Sequence, residues 1–455
     1  MEMVLEFLRD VLSQPALLIG IMSCIGLIAL KRPFHKIMTG TLKPILGYLM
    51  LAAGAGVIVS NLDPLGKMIE HGFHITGVVP NNEAIVAVAQ KVLGVETMSI
   101  LVVGLLMNLC IARFTKFKYV FLTGHHSLFM ACLMSAVLGT AGLSGMELIL
   151  VGGFLMGAWS AISPAIGQSY TSKVTDGDEI AIGHFGSLGY YLSAWVAKYV
   201  GKAEDSTEDI EIPEKWGFLR DSTLSTALTM IVFYLIAAFA AGSEFVATLS
   251  GDMSPYLYAV MSAMNFAVGV TIVYSGVRMI LGDLIPAFQG IATKIIPNAI
   301  PAVDCAVFFT YAPTAVVLGF LSSFIGGIIG MLILGAVGGV LIIPGLVPHF
   351  FCGATAGIYG NATGGRRGAA VGAFLNGLAI TFLPAMALPV LGQLGFQNTT
   401  FGDADFAVMG LVLGNAYEWV GMAGIYGIVA IAALVLIVPN FIKTKGKVIN
   451  YVEED

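Results

Sequence analysis

Long apolar runs separated by short polar breaks dominate the chain. A bilayer core of about 30 Å asks for roughly 20 apolar residues per helix, and on that measure about eleven spans are expected. They centre on residues 14–30, 44–61, 96–112, 120–141, 147–170, 223–243, 256–281, 306–327, 328–349, 367–391 and 420–442. The eighth and ninth runs are divided only by Gly326, Gly327 and Gly330. Between the spans, shorter stretches repeat apolar residues at helical spacing. Leu65, Met68, Ile69 and Phe73 form one such stripe, and Leu284, Phe288, Ile291 and Ile295 another. A third comprises Leu188, Tyr191, Leu192, Trp195, Val196 and Tyr199. These predict amphipathic helices lying in the membrane interface. The expected fold class is an all-α polytopic membrane protein, with interfacial helices and re-entrant hairpins.

Composition agrees with that pattern. Of 455 residues, 57% are hydrophobic and 11% charged, and the mean hydropathy is +0.89. A net charge of −6 offers no basic face for nucleic acid. Cys24, Cys110, Cys132, Cys305 and Cys352 have no spacing suited to a metal or a disulfide framework, and each is expected to be a buried structural thiol. Glu2, Glu6, Arg9 and Asp10 replace the basic region of a signal peptide, so the first apolar run is read as a permanent span.

Basic residues orient the chain. They follow the first run (Lys31, Arg32, Lys36, Lys43), the third (Arg113, Lys116, Lys118), the fifth (Lys202, Lys215, Arg220), the ninth (Arg366, Arg367) and the last (Lys443, Lys445, Lys447). Connections at 142–146, 244–255 and 392–404 carry none. Positive charge stays on the cytoplasmic side, which places the N-terminus outside and the C-terminus inside.

The words Val78-Val79-Pro80-Asn81 and Ile295-Ile296-Pro297-Asn298 are alike. Each follows a stripe with a proline (Pro64, Pro286) and precedes a short apolar stretch with one carboxylate, Glu83 or Asp304. Two inverted repeats are therefore expected, at 1–201 and 223–415, joined by a linker at 202–222 and followed by a final helix and tail at 416–455. Polar breaks at corresponding places in such repeats point to a transporter's midplane site.

Polar groups at membrane depth are the candidate chemistry. Thr175 to His184 gathers three carboxylates, two glycines and a histidine. His184 is expected to contact a solute, while Asp176 and Glu179 are expected to shape or cap the turn. His125 and His126 begin the fourth run on different helix faces, with His125 assigned to the cavity and His126 to packing. Asp304 is flanked by Pro297 and Pro301, which break the helix and free carbonyls; its carboxylate suits adjacent hydroxyl donors. Ile342 to His349 is a proline-broken stretch before a glycine-dense segment, where Asn361 is given a turn role. No hydrolase triad, metal cluster or nucleotide-binding fingerprint is present, so no catalytic residue, metal or cofactor is assigned.

These residues resemble the membrane component, EIIC, of ascorbate-type bacterial phosphotransferase systems in the ascorbate–galactitol superfamily. The resemblance rests on Thr123-Gly124-His125, Val174 to Gly177, Ile182-Gly183-His184, Ala302 to Ala306 and Leu341 to Gly345. It implies eleven spans in two five-span inverted repeats plus a final helix, and a homodimer in which a core domain moves against a dimerising one. It also implies a permease of the cytoplasmic (inner) membrane, which passes L-ascorbate or a related sugar acid inward. A separate EIIB protein, charged by EIIA, phosphorylates the solute. His125, His184 and Asp304 match substrate contacts of the family, and Asn82 and Glu83 fall where it has a threonine–tyrosine pair. Phe129 and Phe185 stand where ascorbate permeases have glutamines. On the residues alone, an ion-coupled secondary transporter using His125, His184 or Asp304 as a proton relay is the other reading.

Overall fold

The computed structural model describes residues 10–11, 14–74, 77–78, 80, 82–210, 222–392 and 400–441. Lys215, Arg220, Lys443, Lys445 and Lys447, which enter the orientation argument, lie outside them. So do most of the 202–222 linker and part of the 392–404 connection.

Thirteen α-helices are described: α1 (Pro15–Ala29), α2 (Phe34–Phe73), α3 (Asn82–Phe114), α4 (Gly124–Thr140), α5 (Gly145–Thr175), α6 (Ser187–Val200), α7 (Ser222–Ala241), α8 (Ser243–Ser250), α9 (Pro255–Lys294), α10 (Pro313–Ala336), α11 (Leu346–Gly392), α12 (Ala404–Val420) and α13 (Met422–Ile437). Seven are long and apolar enough to cross a membrane, or eight if the bent pair α7–α8 counts as one span. The protein is all-α and polytopic.

Several boundaries differ from the sequence reading. The runs expected at 306–327 and 328–349 are one membrane-length helix, α10, preceded by a 3-10 turn (Cys305–Thr310) and followed by an irregular return into α11. Glycines at 326, 327 and 330 do not end α10. They lie on its packed face, where Gly326 abuts the backbone of Phe374 and Gly330 touches Thr381. The stripes at 65–73 and 284–295 are not separate helices. They continue α2 and α9, both 40 residues long with internal prolines. α12 occupies a stretch where no span was expected, and the repeat boundary expected at 415–416 falls inside it.

Two glycine pairs set the α2–α9 crossing. A Cβ on Gly54 would meet the Gly269 carbonyl oxygen at 2.7 Å, and one on Gly269 would meet that of Gly54 at 2.9 Å. Gly47 and Gly276 repeat the relation one register along. Small residues at such crossings let backbones approach where lipid provides no hydrophobic drive.

α6 differs in a second way. Its small face, Gly189, Ser193, Ala194 and Ala197, is buried against α11. Ser193 Oγ donates to the Ala356 carbonyl at 2.6 Å, and Thr363 donates to that of Ala194 at 3.1 Å. The apolar stripe read as lying in the membrane interface is only partly covered, and its aromatics Trp195 and Tyr199 are exposed. Side-chain size, rather than hydropathy, decided which face packs.

Three short parallel strands sit among the helices: β1 (Tyr119–Phe121), β2 (Ala181–Ile182) and β3 (Ile300–Val303), in the order β1-β3-β2. Tyr119 pairs with Ile300, and Ile182 with Val303. Strand edges inside a bilayer leave backbone groups that must be bonded internally. Asn108 meets that need for β1: its Nδ2 donates to Tyr119 O at 3.1 Å, and its Oδ1 accepts from Phe121 N at 3.0 Å. An isolated bridge, Val78 with Ile342, is also parallel.

Residues 201–210 fold onto the break of α11 at Gly364–Gly365. Asn361 accepts from Thr207 N and donates to Ser206 Oγ. Glu208 accepts from the backbone of Thr314 and Ala315, capping the start of α10.

Candidate functional site

The strands deliver the site. β1 leads through Leu122 and Thr123 into α4, so His125 stands in the first turn of that helix. β3 leads directly to Asp304, after a turn in which Asn298 takes a left-handed conformation (φ 61°). Asparagine tolerates that conformation better than most side chains. β2 leads through Gly183 to His184, and Gly183 N donates to Val303 O at 2.7 Å. A Cβ at Gly183 would overlap the Ala302 carbonyl, so glycine is required at this close approach.

A cavity of about 890 Å³ brings together Asn82, His125, His184 and Asp304 of the sequence-predicted residues. The Glu83 side chain lies outside the described residues. His125 Nε2 is 3.5 Å from Asp304 Oδ2, an ion pair when the imidazole is protonated. Asp304 Oδ1 accepts from Ala306 N at 3.1 Å, which caps the 3-10 turn. The carboxylate therefore serves the local backbone with one oxygen and faces His125 with the other.

His184 is buried. Its Nδ1 accepts from Gly186 N at 3.1 Å and lies 2.8 Å from Tyr190 Oη. Acceptance at Nδ1 leaves Nε2 as the protonated nitrogen of the neutral ring, available as a donor. His126 packs against His184 with centroids 3.8 Å apart and the rings tilted by 47°, and its Nδ1 accepts from Phe185 N at 3.3 Å. It both packs and lines the cavity wall.

The two phenylalanines take different places. Phe129 lines the cavity, whereas Phe185 is fully buried and stacks on Phe121 at 4.6 Å. The acids of the Thr175–His184 stretch sit away from the cavity. Asp176 ends α5 in a left-handed conformation, Asp178 accepts from Ser172, and Glu179 is exposed.

Three groups escaped the sequence reading. Asp403, in the 392–404 stretch read as an outer connection, lines the cavity, and Asp405, just past that stretch, is buried without lining it. Cys352 is not an inert thiol, since its Sγ lies 2.7 Å from Asp403 Oδ1 as a donor. Cys110 is exposed, not buried. A polar cluster from Thr400 to Asp405 was the available signal. Two trios bring possible metal donor atoms within 4.8 Å: His184 with Asp304 and Cys305, and His184 with Cys352 and Asp403. Cys352 Sγ donates to Asp403 Oδ1, Asn82 donates to Asp403 Oδ2, and His184 Nδ1 is engaged by Gly186 N and Tyr190 Oη, so the second trio forms part of a hydrogen-bonded network.

Long apolar helices around a cavity lined by His125, His184, Asp304 and Asp403 mark a multi-pass membrane protein. The chain belongs to the EIIC-GAT family, the sugar-specific permease component of the phosphotransferase system, whose model matches residues 10–405. It is 28% identical to the ascorbate-specific phosphotransferase system EIIC component of Mycoplasma pneumoniae (strain ATCC 29342 / M129 / Subtype 1), over 90% of this chain and 70% of that protein.

Proposed function

We propose that this permease carries L-ascorbate or a related sugar acid inward across the bacterial cytoplasmic membrane by alternating access, for phosphorylation by a separate EIIB protein charged by EIIA. The observation that carries this reading is the meeting of His125, His184 and Asp304 in one cavity of a phosphotransferase permease. Imidazole donors suit an enolate or ring oxygen, and a carboxylate suits adjacent hydroxyls. Asn82 supplies an amide to the same space, and Glu83 is assigned beside it. The similar Mycoplasma protein, named as ascorbate-specific, supports the choice of solute. No histidine or cysteine is assigned as a phosphoryl carrier, so the chain supplies recognition and passage while phosphorylation traps the product as an anion.

The proposed architecture is two inverted repeats, a homodimer, an external N-terminus and a cytoplasmic C-terminus. Pairing of α2 with α9 through reciprocal glycines supports the repeat, as do the two parallel pairings, Ile300 with Tyr119 and Val78 with Ile342. The test is uptake of radiolabelled L-ascorbate into cells with and without EIIB. Uptake that requires EIIB and phosphoenolpyruvate is expected. Uptake that persists without EIIB and follows a proton gradient would instead establish an ion-coupled transporter.

A further inference from the structure

Asp403 opens α12 at its N-cap. An aspartate there ordinarily gives its carboxylate to the free amides of the first turn. Asp403 makes no such bond. Its side chain turns to the cavity instead, where Oδ2 accepts from Asn82 Nδ2 at 2.6 Å and Oδ1 from Cys352 Sγ at 2.7 Å. Gly402 N donates to Asn82 Oδ1 at 2.9 Å, so Asn82 grips both the backbone and the side chain of this turn.

Asp405, two residues on, takes the structural work. It accepts from Trp159 Nε1 at 3.2 Å, Ser187 Oγ at 2.8 Å and Leu188 N at 3.0 Å, tying α12 to the start of α6. The neighbouring carboxylate therefore does not explain why a second is kept at membrane depth. A buried ionisable group there is a functional hypothesis by default.

The placement of Asp403 matches that of Asp304. Each has its own backbone extended (ψ 149° and 144°), each begins a helical turn, and each lines the cavity with one or both oxygens held by a named donor. A carboxylate offers about four acceptor positions, so two hydrogen bonds leave capacity for hydroxyl donors of a ligand. His184 has a ring nitrogen within 4.8 Å of a carboxylate oxygen of each.

We propose that Asp403 is a second substrate-contacting carboxylate, which accepts from terminal hydroxyls of the solute and so sets specificity for a solute that carries them. This rests on the permease reading above and names a residue and a selectivity for that same site.

The test measures binding to the purified permease in detergent by titration calorimetry. The probes are L-ascorbate, gluconate and xylitol, each compared with a derivative whose terminal hydroxyls are masked as a ketal. Wild type is expected to prefer the unmasked member of the pair it binds. Asp403→Asn is expected to lose at least tenfold in affinity for the unmasked probe and little for the masked one, collapsing the ratio. Asp403→Glu, which keeps the acceptor oxygens, is expected to preserve the ratio. Equal losses for both members would show a merely structural role and overturn the inference alone. If Asp403→Asn fails to fold, Asn82→Ala frees Oδ2 and is expected to shift the same ratio; an unchanged ratio overturns the inference. A wild type that binds none of the probes overturns both the proposed solute class and this inference.

Discussion

Nε2 of His125 stands 3.5 Å from Oδ2 of Asp304, and one strand pair sets that distance. β1 and β3 run parallel from Tyr119–Ile300 to Phe121–Ala302, and each chain then turns into a helix carrying one of the two residues. The imidazole and carboxylate are thus held by main-chain hydrogen bonds, including Leu122 N to Ala302 O at 2.9 Å.

Asp304→Asn keeps an oxygen that accepts from Ala306 N but removes the charge facing His125. Affinity for L-ascorbate is expected to fall at least tenfold while the melting temperature stays within a few degrees. Titration of purified protein alongside thermal melting checks both halves. Unchanged affinity would remove Asp304 from the site.

Gly183→Ala puts a methyl group where the Ala302 carbonyl already lies. β2 must move off β3, carrying His184 with it. A loss of roughly 1–3 kcal/mol of stability is expected from such overpacking, together with weakened binding. A melting curve and a binding isotherm that both match wild type would contradict the close approach.

Asn108→Leu preserves size and removes both hydrogen bonds to the outer edge of β1. Tyr119 O and Phe121 N would be buried without partners, at a cost of roughly 2 kcal/mol or more. The melting temperature in detergent is the measurement, and protection of the Phe121 amide from hydrogen exchange should fall with it.

Asp405→Ala removes the acceptor shared by Trp159, Ser187 and Leu188. The start of α6 loses its cap and a buried indole N–H loses its partner. Destabilisation of roughly 3 kcal/mol is expected, with a change in Trp159 fluorescence; the other three tryptophans can be replaced by phenylalanine to isolate that signal.

Lys118, in the link between α3 and β1, donates to Ala112 O at 3.0 Å. Burial pushes its ammonium below the ordinary lysine pKa, and Arg113 pushes the same way. Its folded pKa is therefore lower than its unfolded one, so folding disfavours the charged form. That penalty is fullest at neutral pH and is relieved as pH rises through the folded value towards about 10.4. The stability of wild type relative to Lys118→Met should rise with pH across that window in thermal melts. A flat difference would refute it.

Much of this protein was legible in its residue order. Apolar run length alone specifies a polytopic membrane protein, because the bilayer sets one length for every crossing helix. Rare polar residues at that depth are costly enough to stand out, which is how His125, His184 and Asp304 were found without coordinates. Asn82 was reached only through a family resemblance.

Other features needed the third dimension. Gly326, Gly327 and Gly330 read as a break between two spans, yet they pack within one helix, since a glycine's role depends on the neighbour that approaches it. The packed face of α6 is made by small residues that no hydropathy stripe marks, because lipid accepts apolar side chains as readily as protein does. Strands of two to four residues carry no usable periodicity, and only their pairing across the chain made them visible. Asp403 and Asp405 are two residues apart and alike in sequence. Only the tertiary structure separates them, by giving one carboxylate three donors from α5 and α6 and turning the other to the cavity.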